Sequence, residues 1–191
     1  MHNMTQSSLR SLVIMLLSLF CLVVQAESYN LIQATPDDGL QPRIVVDESG
    51  NIHLLYFKQR LQRRGALEGS LYYRQFIPTG NTWTTPVKVS SQSFNLQTFS
   101  ISRAALAIDG EGRAHAVWYL GREAEYFYSR SNPERSEFEE QRSMVSDFAE
   151  GIDAGADVAA FGNQVAIVWG AGDLTREPER TVFARLSNDN G

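Results

Sequence analysis

The stretch Arg43–Tyr56, RIVVDESGNIHLLY, returns later in the chain as Ala105–Trp118, ALAIDGEGRAHAVW. An Asp, a Gly, a His and an aromatic residue recur in the same order, each shifted by 62 residues. A third copy, Asp157–Trp169 (DVAAFGNQVAIVW), lies 51 residues after the second, and it lacks the turn Asp and the His. A repeat on this scale indicates that one supersecondary unit is stacked several times.

Each copy predicts the same succession of short β-strands. Apolar and aromatic runs alternate with turn-forming clusters such as DESGN and DGEGR, which predict hairpin turns at Asp47–Asn51 and Asp109–Arg113. Four strands can be assigned in each of the first two repeats and three in the last. The predicted strands are 43–47, 51–57, 71–77 and 86–90, then 104–109, 113–120, 126–131 and 142–146, then 156–161, 164–169 and 181–187.

The first two strands of each repeat are apolar on both faces, as in Ile44–Val46 and Ala116–Trp118. A strand that is apolar on both faces lies between two packed layers, and four-stranded sheets packed face to face around an axis are the blades of a propeller. We therefore predict an all-β fold of about three blades, with repeats at about 40–91, 101–146 and 153–191. A β-sandwich is the alternative, but it would not explain the repeat.

The first 26 residues have the pattern of a secretory signal peptide. Arg10 precedes a run from Leu12 to Val24 that is apolar apart from Ser18, and Val24–Ala26 offers small or apolar residues for cleavage. The run is shorter than the roughly 20 residues that span a bilayer as a helix. The sequence therefore predicts a mature domain, 27–191, that is secreted or periplasmic and has no membrane attachment after cleavage.

The composition of the predicted mature domain excludes several classes of site. Cys21, the single cysteine, would leave with the signal, so no disulfide or thiolate site remains. The whole chain has a formal net charge of −5, and an acidic domain is not expected to bind nucleic acid. No close-spaced metal-ligand set, phosphate-binding Gly loop or serine nucleophile motif occurs, so we predict no metal and no cofactor. His53 and His115 are predicted to be hydrogen-bonded packing residues.

Ser187-Asn188-Asp189-Asn190-Gly191 resembles the first five positions of an Asp-box, S-x-D-x-G-x-x-W, and Gly80 with Trp83 keeps the second half of one. Together with the repeats, these motifs resemble the sialidase superfamily of Asp-box (BNR-repeat) β-propellers. The resemblance implies an incomplete six-bladed propeller and a structural role for the motif residues. The predicted structural Asp-box residues are Gly80, Trp83, Ser187, Asp189 and Gly191.

The resemblance also implies a ligand chemistry. Sialidases hydrolyse terminal sialic acids, using an arginine triad for the carboxylate, a tyrosine nucleophile with a glutamate partner, and an aspartate acid/base. Pro42-Arg43-Ile44 is similar to the motif that carries the first arginine. Other candidates lie in loops predicted to surround the mouth of the channel, where binding residues concentrate. The candidate ligand-binding residues are Asp38, Arg43, Arg63, Arg103, Arg122 and Asp153.

Three functions remain open from the sequence. The first is an exported, sialidase-like glycoside hydrolase in full-length form, the second a lectin-like propeller that binds a glycan or another small polar ligand without catalysis, and the third a non-functional fragment. Three repeats do not close a propeller. A predicted strand at Tyr29–Ala34 suggests that two chains could complete a six-bladed ring as a homo-oligomer.

Overall fold

The structure is a computed structural model that describes residues 32–60, 68–96, 103–120, 125–144, 151–172 and 181–191, without the side chains of 151–154. Residues 34–191 belong to one compact unit. The predicted signal segment lies outside the described residues. Among the residues that are described, no helix is long and apolar enough to cross a membrane.

Blade 1 is an antiparallel sheet whose outer edge is broken into short pieces. Its third strand pairs with three separate two-residue strands, so the single outer strand predicted at 86–90 is wrong in extent. Pro86 lies between the first two of these short strands, where it cannot donate to a ladder. The strands are β1 (Leu40–Val46), β2 (Ile52–Gln59), β3 (Glu68–Ile77), β4 (Thr82–Trp83), β5 (Val87–Lys88) and β6 (Phe94–Asn95).

Blade 2 has four antiparallel strands, and blade 3 has three among the described residues. Of the strand predicted at Tyr29–Ala34, residues 29–31 lie outside the described part and 32–34 form no strand, so that part of the prediction is wrong. The strands are β7 (Ala105–Ile108), β8 (Ala114–Leu120), β9 (Glu125–Arg130), β10 (Arg142–Ser143), β11 (Gly151–Phe161), β12 (Gln164–Ala171) and β13 (Thr181–Ser187).

The three blades use equivalent positions for equivalent faces. We call the face of a blade that is turned towards the preceding blade its near face, and the opposite one its far face. The pairing registers identify the equivalent positions in the three blades. His53 pairs with Val45 in blade 1, His115 with Ala107 in blade 2 and Ala166 with Ala159 in blade 3. The near-face positions are Ile44, Leu54, Tyr56 and Tyr72 in blade 1, Leu106, Ala116, Trp118 and Phe127 in blade 2, and Val158, Ile167, Trp169 and Phe183 in blade 3.

Two hydrophobic clusters join the blades in order. In the first, Leu55, Phe57 and Tyr73 of the blade 1 far face pack with Trp118 and Leu106 of the blade 2 near face. The second cluster lies between the far face of blade 2 and the near face of blade 3. A fully buried side chain of this size contributes about 1.5–3 kcal/mol. The predicted propeller blades are therefore confirmed, and three stacked sheets exclude the two-layer sandwich.

Two of the hairpin turns are built by an aspartate, as predicted. Asp47 Oδ1 accepts hydrogen bonds from the backbone N–H groups of Ser49 (3.0 Å) and Asn51 (2.8 Å), and Gly50 adopts φ 82°. Asp109 makes the same pair of bonds in blade 2, where Gly112 adopts φ 83°. In blade 3 Phe161 pairs directly with Gln164, so a two-residue turn replaces the longer one.

Gly50 and Gly112 provide a matched test of packing at this turn. An added Cβ meets nothing at Gly50, but at Gly112 it would lie 2.6 Å from Arg135 Nη1, which donates to the Gly112 carbonyl. We expect Gly50→Ala to cost about 1–2 kcal/mol of unfolding free energy, from left-handed backbone strain alone. Gly112→Ala should cost clearly more. Urea unfolding measures the cost of each glycine substitution. In an Arg135→Ala background the two substitutions should have similar costs. Equal costs with Arg135 present would contradict the packing of Arg135 on Gly112.

Candidate functional site

The inner strands of all three blades line a common cleft. The strands β1, β7 and β11 and the hairpins that follow them enclose about 470 Å³. One end of the blades carries these hairpins and is called the hairpin end. The opposite end carries the β2–β3, β8–β9 and β12–β13 connections and is the predicted mouth, whose loops 61–67, 121–124 and 173–180 lie outside the described residues. The cleft therefore contains the part of the channel that the structure describes.

Arg43 is the one basic residue among the described residues that line this cleft. It lies in β1, directly after an irregularity in the pairing register between Leu40 and Arg43, and it pairs with Leu55 of β2. Its side chain is 48 % exposed, and its Nη2 lies 3.9 Å from Asp157 Oδ1, on a carboxylate that is also exposed. An exposed pair of this length contributes about 0–1 kcal/mol. The guanidinium is therefore held on a strand but only weakly committed to its partner.

Two acidic residues of the cleft at the hairpin end, Asp47 and Asp109, are already engaged. Burial opposes ionisation of Asp47, but hydrogen bonds from Asn51 and His53 outweigh it and hold the pKa of Asp47 at about 2. Asp109 is buried and occupies the same position in blade 2. These carboxylates close turns and bind histidines, whereas the guanidinium of Arg43 is half-exposed and only weakly paired.

Buried Asp–His–Tyr chains occupy the far faces of blades 1 and 2. His53 Nδ1 lies 2.6 Å from the Tyr73 hydroxyl and its Nε2 lies 3.1 Å from Asp47 Oδ2. His115 repeats both contacts with Tyr128 (2.7 Å) and Asp109 (3.1 Å). An ionised carboxylate only accepts, so Nε2 carries the proton and donates to Asp, while Nδ1 accepts from the tyrosine hydroxyl.

The chains act in packing. Both histidines are 0 % exposed and both tyrosines are buried, so none of these four side chains faces a ligand. Burial raises the pKa of Tyr128 to about 12 and that of Tyr73 further, so both phenols stay protonated. The structure thus confirms His53 and His115 as hydrogen-bonded packing residues. In blade 3 the register places Phe161, Ala166 and Ala184 at the Asp, His and Tyr positions.

The two loops predicted as Asp-boxes, and the loop at the equivalent position of blade 2, lie beside these chains. The first and eighth positions face each other in blade 1, where Phe76 pairs with Trp83, and in blade 2, where Ser131 bridges to Phe138. In blade 3 the Ser187 hydroxyl accepts from the backbone N–H of Gly191 (2.8 Å) and of Asp189 (3.2 Å), and donates to the Asp189 carboxylate. Gly80 lies in a short 3₁₀ turn. We call each of these loops a clasp.

Each of the two later clasps contacts the preceding blade. Phe138 packs on Tyr73 with ring centroids 5.9 Å apart. Gly191 lies against Tyr128, because an added Cβ would stand 2.2 Å from the tyrosine hydroxyl. Arg130 Nη1 donates to the main-chain oxygen of Asn190 (2.6 Å). The clasp of one blade therefore covers the Asp–His–Tyr chain of the blade before it.

A second charged cluster lies on the near face of blade 1, at the end towards the mouth. Asp37 accepts from the Tyr56 hydroxyl and from Arg74 Nη2 (2.8 Å), and Lys58 Nζ lies 3.5 Å from its other oxygen. Burial and the bond to Asp37 raise the pKa of Tyr56 to about 12. Sequence reasoning missed Tyr56 and Arg74, although an arginine on an apolar strand face was a signal. The backbone here is strained, with φ 58° at Asp37 and 53° at Asp38.

The six predicted ligand residues are not brought together in the described structure. Arg63 and Arg122 lie outside the described residues, as does the side chain of Asp153 in β11. Asp38 and Arg103 are exposed, and neither is hydrogen-bonded or ion-paired to Arg43 within the described part. No group of three or more His, Cys, Asp or Glu side chains that could hold a metal occurs among the described residues.

A solved structure shows the same fold at low sequence identity. The chain is similar to a Hadza microbial sialidase, Hz136, with 14 % identity and a TM-score of 0.51, over 79 % of this chain and 35 % of that one. It also matches a thermostable family-43 glycoside hydrolase, with 12 % identity and a TM-score of 0.41, over 76 % of this chain and 53 % of that one. No protein-family model and no curated protein matches the chain. The chain thus spans 35 % of the sialidase, and the likeness concerns the fold.

The buried histidines make stability depend on pH in a defined direction. Burial lowers the pKa of His53 and His115 below the unfolded value near 6.5, against the opposing effect of their aspartates. Below that value the unfolded chain binds protons that the native state excludes, so stability is complete above about pH 6.5 and falls on acidification. We expect the urea midpoint to decrease from pH 7.5 to 5. The variant His53→Gln/His115→Gln should be less stable and nearly flat over this range; a midpoint that rises on acidification would contradict this account.

Proposed function

We propose that this chain forms part of a sialidase-like, Asp-box propeller that binds a glycan through a sugar carboxylate, with Arg43 as the recognising cation. The observation that carries the proposal is the half-exposed guanidinium of Arg43 in the cleft between three blades, only weakly paired with Asp157. A planar guanidinium matches a carboxylate with two parallel hydrogen bonds.

The cleft has suitable dimensions and rigidity for a sugar. Its volume of about 470 Å³ falls within the range of small-molecule sites, about 300–1,000 Å³. Arg43 projects from a paired strand, and Leu106 and Val158 are among the residues that line the cleft with it. A site on strands positions a polar group more accurately than one on loops. The predicted signal peptide places this binding outside the cytoplasm within the same proposal.

The described residues favour binding over hydrolysis. Hydrolysis of a sialoside by the implied chemistry needs an accessible tyrosine nucleophile, whereas Tyr56, the tyrosine next to an aspartate here, is fully buried. Its pKa of about 12 keeps the phenol protonated at neutral pH. We therefore propose a carbohydrate-binding function for this chain and treat sialoside hydrolysis as the outcome that the experiment must distinguish.

The test is calorimetric titration of the chain with N-acetylneuraminic acid, using neutral N-acetylmannosamine as a comparison ligand. We expect the acid to bind and the neutral sugar to bind much more weakly. Arg43→Gln should weaken binding of the acid about 10- to 100-fold, since a hydrogen bond to a charged group is worth about 1.5–3 kcal/mol. Arg43→Lys should fall between, because an ammonium keeps the charge and loses the planar fork.

Arg142→Gln is the matched control for that experiment. Arg142 is 52 % exposed and lies 3.7 Å from Glu139, so its exposure and ion pairing resemble those of Arg43, but it lies on β10 away from the cleft. Binding should survive this change. Unaltered binding in Arg43→Gln would refute the assigned role. Turnover of a fluorogenic sialoside by the wild type would replace the binding function with a hydrolytic one.

A further inference from the structure

The far face of blade 3 is largely apolar, with Asp157 as its charged residue, and it is uncovered among the described residues. Its strand positions carry Ala159, Val168, Val182, Ala184 and Leu186. Val182 is 70 % exposed and Leu186 is 80 % exposed. The equivalent positions of blades 1 and 2 form the two hydrophobic clusters of the fold, each covered by the near face of the next blade. A face of this kind marks an interaction site.

The near face of blade 1 is its counterpart and is partly uncovered as well. Ile44 is 57 % exposed, whereas the equivalent Leu106 and Val158 are 2 % and 6 % exposed. Val46, at the hairpin end of the same strand, is also exposed. The mouth end of this face is already covered around Tyr56 by the turn from Thr35 to Gly39. One chain therefore carries both halves of a blade-to-blade contact, open at the same hairpin end.

The two open surfaces also match in shape. On the far face of blade 3, alanines replace the His and Tyr of the buried chains, and a groove of about 550 Å³ lies there between Phe161, Ala166 and Leu186. The clasp of blade 1 has the opposite change, since it carries Phe76 and Trp83 where blade 2 has Ser131 and Phe138. Phe138 packs on the far-face Tyr73 of the preceding blade. The larger aromatic pair of one surface fits the larger groove of the other.

We propose that this face docks a second copy of this chain, with Phe76 and Trp83 of the second copy inserted in the groove of blade 3. The contact is heterologous, joining two different surfaces, so a closed dimer contains it twice and gains from both contacts. Leu186 of one copy would then lie beside Thr79 and Gly80 of the other. Within the chain, the equivalent residue Arg130 contacts Asn190 and Gly191 at those positions.

Light scattering coupled to size-exclusion chromatography of the purified chain, over a concentration series, tests the proposal. We expect a dimer at high concentration that dissociates on dilution. Leu186→Lys should raise the dissociation constant at least about tenfold, because it places an unpaired charge in an apolar contact. Adding Thr79→Glu to it should restore association by pairing the lysine across the interface. Trp83→Ala should weaken association by emptying the groove.

Glu140→Lys is the control, since Glu140 is exposed beside the outer strand β10 of blade 2 and lies on neither of the two open faces. It should associate like the wild type. The fluorescence of Trp83 gives a second readout, because Trp118 and Trp169 are buried in the chain itself and should not respond to dilution. A wild type that stays monomeric, or association that is insensitive to Leu186→Lys and Trp83→Ala, would overturn the proposal.

Discussion

Every other feature of this structure depends on the stacking of one sheet on the next through apolar faces. A blade of three or four strands has two such faces, and neither can stay in water without a large free-energy cost. The inner strands of blade 2 satisfy both at once, since Leu106 packs towards blade 1 and Val117 towards blade 3. The sequence therefore repeats because each blade must meet the same packing requirement in the same way.

Stacking alone does not fix how two flat apolar faces align, and the buried polar chains supply that specificity. An Asp, a His and a Tyr lie inside the far face of blades 1 and 2, with every polar atom of the chain partnered. The hydrogen bonds of each chain lie within one blade, and they fix the position of the tyrosine on which the next blade packs. The clasp that rests on the tyrosine, through Phe138 or Gly191, therefore has one well-defined position. In blade 3 alanines remove this constraint, and a groove takes its place.

The local pattern predicted much of this fold. Strands β8 and β13 agree with the predicted spans to within one residue, and both Asp turns form where the DESGN and DGEGR clusters lie, because these features depend on neighbours in sequence. The cluster of Asp37, Tyr56 and Arg74 was not predicted. It joins residues 37 positions apart, and no local period encodes that contact. The broken outer edge of blade 1 escaped prediction for a related reason, since three short strands share one partner strand.

The charged residues of the cleft differ in how firmly they are bound to other groups of the chain, and this difference bears on function. At the hairpin end the carboxylates of Asp47 and Asp109 are bound by backbone N–H groups and histidines, so releasing one for a ligand would unfold a turn. Arg43 is different, because its exchange of Asp157 for a ligand carboxylate gives up about 0–1 kcal/mol and gains a charge-assisted pair worth about 1.5–3 kcal/mol. We therefore propose this residue, on a rigid strand and with a weak partner, as the one through which the propeller recognises an anion without altering the contacts that hold its blades together.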